Sequence, residues 1–141
     1  MDGSLTNAED FQAISTIVEK QRQSYLNEGF VSAEVRISRL KRALNILLDN
    51  QEAFTKSISD DFTHRSADTT LFADIVGSKH ALKHAIDNVK KWMKVDKRSL
   101  PFPLGFLGAK AEVQFQPKGV VGLITPWNFP LTMVFVPLAQ M

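Results

Sequence analysis

The run Gly119-Val120-Val121-Gly122-Leu123-Ile124 is continuously apolar and stops at Pro126-Trp127-Asn128-Phe129-Pro130. An unbroken apolar run is expected of a strand buried on both faces, and such strands sit in parallel sheets covered by helices. This run therefore demands an α/β fold. Just ahead of it, "AEVQFQ" at 111–116 alternates Val113 and Phe115 with polar neighbours, as a half-exposed strand does.

Three helical patterns precede these strands. Thr6 and Glu9 match a capping box, and Phe11, Ile14, Val18 and Tyr25 follow helical spacing as far as Gly29, a suitable C-terminal cap. The spacing predicts a helix over about residues 7–28. From Ser32 a second stripe, Ile37, Leu40, Leu44, Leu47, Phe54, Ile58 and Phe62, predicts one long amphipathic helix. A third runs through Leu71, Ile75, Leu82, Ile86, Val89 and Met93, mildly interrupted by Gly77, and ends near Lys94. "RSLPFPLGFLGAK" at 98–110, with two prolines and two glycines, reads as a loop. The expected organisation is a helical segment at 1–110 followed by the start of an α/β domain at 111–141.

That order leaves the last strand without the parallel neighbours it needs. Met141 also falls in what reads as the opening turns of a helix, with no cap or return strand after it. The expectation is a truncated piece of a longer protein.

Composition narrows the chemistry. The 141 residues contain no Cys, which excludes a thiolate nucleophile, a disulfide or a thiolate metal site within them. A net charge of +2 is too small to make nucleic acid or an anionic membrane the default partner. The basic stretch Lys83, Lys90, Lys91, Lys94, Lys97 and Arg98 is interrupted by Asp87 and Asp96 and reads as a solvated helix face. His80 and His84 share a helix face, but no carboxylate or Cys nearby completes a ligand set, so no metal is expected. "MDGSLTNAEDF" carries acids where a secretory leader carries basic residues, and three prolines break the apolar stretch from Val120 to Met141. A cytoplasmic protein without a membrane partner is expected.

"FQPKGVVGLITPWNFPLTMVFVPLAQ" closely resembles the first strand, turn and helix of the NAD(P)-dependent aldehyde dehydrogenase superfamily, whose members carry a Pro-Trp-Asn-aromatic-Pro motif here. "DFTHRS" at 61–66, the helix ending in "KKWMK" and the approach "LGFLGAKAEVQFQPKGVVG" are similar to class-3-like members, the coniferyl aldehyde dehydrogenases nearest in appearance. The resemblance implies a Rossmann-like cofactor-binding domain that begins in these residues. It implies oxidation of a small-molecule aldehyde to an acid by NAD or NADP, through a Cys thiolate, a thiohemiacetal and a Glu-activated water. It also implies a homodimer for the full-length parent. The Cys, the Glu and the cofactor-binding Lys belong to later segments, so the piece alone is expected to be inactive, to bind no cofactor tightly and to self-associate through exposed apolar surface.

By the same resemblance Asn128 is the side-chain half of an oxyanion hole. A primary amide suits that role because it offers two N–H donors without a charge. Pro126 and Pro130 restrict the backbone on either side of it. Thr125, Pro126 and Trp127 match positions whose backbone lines the cofactor's ribose and nicotinamide side; Phe129 and Met133 match positions bordering the aldehyde channel. Simpler alternatives stand beside these roles. An Asn between prolines can merely bond its own backbone, Trp127, Phe129 and Met133 can be core residues, and the chain can be a short helical interaction module without activity.

Overall fold

The computed structural model describes the backbone of residues 6–141 and side chains from Asp10 onward. The Thr6 and Glu9 side chains lie outside the described residues. The chain divides into two compact units, residues up to 31 with 117–122, and residues 32–116 with 123–141.

In the first unit, α1 spans Thr6–Glu28 and ends as expected. Gly29 takes a left-handed φ of +63°, and its N–H donates to the Tyr25 carbonyl over 3.3 Å. The Tyr25 hydroxyl donates to the Pro117 carbonyl over 3.0 Å, and two positions later Gly119 adopts φ +104°. A Cβ at Gly119 would stand 3.8 Å from the Tyr25 ring, so the conformation rather than crowding demands glycine there.

The expected strand over Gly119–Ile124 does not form. Those residues join no ladder, and Val121, Leu123 and Ile124 are exposed rather than buried. A strand buried on both faces needs a partner on each side, and the described residues supply none.

The second unit is built on helices. α2 spans Ala33–Asp49 behind the N-cap Ser32, whose Oγ accepts the Val35 N–H over 3.4 Å. The long helix expected from Ser32 is two: α3 spans Gln51–Asp61, and Asn50 between them leaves helical geometry at φ −110°, ψ 13°. Asn50 Nδ2 donates to the Ile46 carbonyl over 2.8 Å, a side-chain bond that competes with the backbone ladder at the break.

The third helical pattern is one continuous run in three parts. α4, Ala67–Thr70, starts at Ser66, whose Oγ accepts the Asp68 N–H. A π-helical segment, Leu71–Val76, follows, then α5, Gly77–Trp92. Segments of that kind are short, carry one extra residue per turn and recur at functional sites. The expected stripe is buried at Ile75 within the π segment and at Leu82 and Val89 in α5, whereas Leu71 at the start of the π segment is exposed.

Leu47 from α2, Ile58 from α3, Ile75, Leu82 and Ala85 from the long run, and Leu131, Phe135 and Ala139 near the C-terminus form the core, with Leu40, Leu44 and Phe54 packed against it. Glu34 and Lys90 join α2 to α5 at 3.0 Å. The strand expected at 111–116 is shorter: β1, Asp96–Arg98, pairs antiparallel with β2, Ala111–Val113, and Phe115 lies exposed beyond it. The last element, α6, spans Thr132–Leu138.

Candidate functional site

The segment from Thr125 to Met133 leaves an extended stretch, bends through Trp127–Phe129 and enters α6. The prolines at 126 and 130 supply no N–H to any ladder. What holds the bend comes from the residues before and within the long helical run.

Arg65 donates from Nη1 to the Asn128 carbonyl over 2.6 Å and from Nη2 to Asp74 Oδ2 over 2.7 Å. The other carboxylate oxygen, Asp74 Oδ1, accepts the backbone N–H groups of Leu131 at 3.2 Å and Thr132 at 3.1 Å. Those donors have no intrahelical partner at the start of α6, so Asp74 acts as an N-cap supplied by a distant element. The Thr132 hydroxyl donates to the Ala73 carbonyl over 2.6 Å. Around the guanidinium stand the rings of Phe62 and Phe129, with centroids 5.4 and 5.1 Å from its carbon, a cation–π arrangement on two sides. Asp74 is fully buried and the Arg65 side chain is 9% exposed, so this pair is shielded from solvent and each charge depends on the other.

Asn128 itself is exposed, and its side-chain amide makes no hydrogen bond among the described residues. The alternative in which that amide secures its own backbone is not what forms; Arg65 does the securing through the Asn128 carbonyl. Trp127 is 83% exposed and lies outside the core that the described residues form. It borders a shallow recess with Ile58, Asp61, Phe62 and Pro130. Thr125 is half-buried and Pro126 exposed, and no backbone hydrogen bond engages Thr125 or Trp127 among the described residues. Phe129 and Met133 are partly exposed on the same segment, at 36% and 39%.

The sequence pattern did not single out Arg65 or Asp74. The signals for them are the place of Arg65 in the family-like stretch "DFTHRS" and an acid set beside Ile75 on a stripe of otherwise apolar positions. Elsewhere, His84 lies 5.6 Å from the Trp92 ring and 3.4 Å from the Asn88 amide, and the described residues contain no cluster of metal ligands. No described helix is long and apolar enough to cross a membrane.

The sequence pattern of a family described as "Aldehyde dehydrogenase family" matches residues 4–141. A probable coniferyl aldehyde dehydrogenase of Caulobacter vibrioides is 44% identical over 127 residues, 89% of this chain and 26% of that protein. The coniferyl aldehyde dehydrogenase of a Pseudomonas species is 41% identical over 139 residues, 99% of this chain and 27% of its own length. Aldehyde dehydrogenase family 3 member B1 of Rattus norvegicus is 32% identical over 109 residues, 76% of the chain and 22% of that protein. The chain thus spans about a quarter of the length of these curated relatives. From a match covering nearly every residue and from relatives that agree in kind, the chain belongs to the aldehyde dehydrogenase family.

Proposed function

We propose that the full-length protein oxidises an aldehyde to a carboxylic acid with NAD or NADP, that the aldehyde is aromatic and coniferyl-like, and that Asn128 supplies the side-chain donor to the oxygen that becomes anionic. The observation that carries this reading is the Asn128 amide: exposed, without a hydrogen-bond partner among the described residues, and mounted on a bend held from both ends. An uncharged double donor fixed in advance is what stabilises charge that develops only during reaction. The names of the relatives that match most of the chain support the choice of aldehyde.

The free backbone groups at Thr125 and Trp127 fit a cofactor approaching that side of the bend. When bound, the nicotinamide supplies a hydride acceptor. This chain's share is to border it with Thr125, Pro126 and Trp127, to flank the aldehyde with Phe129 and Met133, and to present the Asn128 amide. The nucleophile is a Cys thiolate that forms a thiohemiacetal, and since these 141 residues contain no Cys, the chain alone is inactive. In this reading residues 1–110 are the helical lead-in, 111–141 open a Rossmann-like cofactor domain, and the whole protein works as a cytoplasmic homodimer.

The test is Asn128→Ala in the full-length enzyme. Its kcat is expected to fall about 100- to 1000-fold, the effect of removing one oxyanion donor, with cofactor affinity little changed. An unchanged kcat, with chemistry rate-limiting, removes the assignment.

A further inference from the structure

We propose that Arg65 and Asp74 are positioning residues for the reaction, acting through Asn128; this rests on the oxyanion reading of Asn128. The guanidinium is one planar fork with both prongs committed, Nη1 on the Asn128 carbonyl and Nη2 on Asp74. The second oxygen of Asp74 holds the peptide N–H groups of Leu131 and Thr132. The stretch from Asn128 to Thr132 is therefore gripped at each end by a single buried ion pair, and the Phe62 and Phe129 rings restrict the fork from turning away.

The peptide from which the Asn128 amide projects is thereby set before any substrate arrives. A donor already in place does not have to reorganise while charge develops, and a misplacement of about 1 Å can cost on the order of 100-fold in rate. Lysine cannot reproduce the arrangement. Its ammonium keeps the charge beside Asp74 but lacks the rigid fork that spans two acceptors.

The test is a double-mutant cycle in the full-length enzyme, comparing wild type, Arg65→Lys, Asn128→Ala and the combined variant. Arg65→Lys is expected to lower kcat about tenfold or more while the cofactor KM stays constant, and to change kcat less than about twofold once Asn128 is already Ala. Equal fractional losses in both backgrounds, or wild-type kcat in Arg65→Lys, overturn the inference while leaving the Asn128 reading intact. If Asn128→Ala alone has wild-type kcat, the oxyanion reading falls and takes this one with it. Should Arg65→Lys not fold, Thr132→Val releases the same bend by removing the hydroxyl tether to Ala73, and it must show the same dependence on Asn128. Hydrogen exchange at the Leu131 and Thr132 amides reads the grip without turnover. It must accelerate in the anchor variant, and unchanged protection overturns the proposal.

Discussion

The Asp74 carboxylate accepts the Thr132 N–H over 3.1 Å across 58 positions of sequence, from a site with no solvent exposure. Removing one member of a buried, hydrogen-bonded ion pair leaves the other charge uncompensated, at a typical cost of about 3–5 kcal/mol. Asp74→Ala is therefore expected to destabilise the chain by that amount in urea unfolding followed by far-UV circular dichroism. A loss below about 1 kcal/mol, the range of exposed pairs, would contradict the shielding described for Arg65 and Asp74.

Leu82 is fully buried where α2, α5 and the C-terminal helix meet the core. Truncation there loses transfer energy and leaves a cavity, so Leu82→Ala is expected to cost about 2–5 kcal/mol. Leu71→Ala, on an exposed position of the same run, is the control and should change stability by no more than about 0.5 kcal/mol.

The Lys90 ammonium bonded to Glu34 holds that carboxyl below the ordinary carboxylate range, helped by local backbone and Ser32 hydrogen bonds. A lowered folded-state value means the unfolded chain takes up the proton first as pH falls. The pair's contribution is then full above the ordinary carboxylate range and disappears as pH drops through the folded-state value. Both groups are largely exposed, so added salt should weaken the effect. A carbon-13 titration of the Glu34 carboxyl should shift upward in Lys90→Met; an unmoved curve would assign the lowering to the backbone and Ser32 hydrogen bonds.

Ile124 is completely exposed, and Phe102, Phe106 and Trp127 each exceed 80% exposure. Apolar surface of this kind drives association or docking. The isolated 141-residue chain is expected to bind a hydrophobic dye and to elute at a concentration-dependent size. A monomer at all concentrations with no dye binding would argue against this.

The same isolated chain, offered an aromatic aldehyde with NAD or NADP, is expected to form no reduced cofactor. Measurable turnover would require a nucleophile other than Cys among residues that contain none, and would overturn the mechanism proposed above.

How far these features could be read in advance depends on how local their causes are. Gly29, the stripe through Leu40, Leu44, Leu47 and Ile58, and the later one through Ile75 and Leu82 are legible because a left-handed cap and a helical period depend on near neighbours. The break at Asn50 is not, because an apolar stripe continues through it while the side chain competes with the backbone. The Gly119–Ile124 run forms no strand because burial is a property of partners: its composition marks it as a buried strand, while the order of elements leaves it without the parallel neighbours that would bury it. At the bend, the motif around Asn128 was visible, but its support was not. Arg65 and Asp74 look like ordinary solvated charges until the helix start at Thr132 is brought beside them.

The π-helical segment Leu71–Val76 has a consequence for insertions and deletions. Each residue of an α-helix turns the chain by about 100°, so deleting one residue between Leu71 and Val76 would let the run relax to uniform α-helix while rotating its two halves against each other. Asp74 could then face the Leu131 and Thr132 amides, or Leu82 and Ala85 could face the core, but not both. The extra residue is what lets one helix hold two phases at once, and loss of a single codon there would be more disruptive than most substitutions.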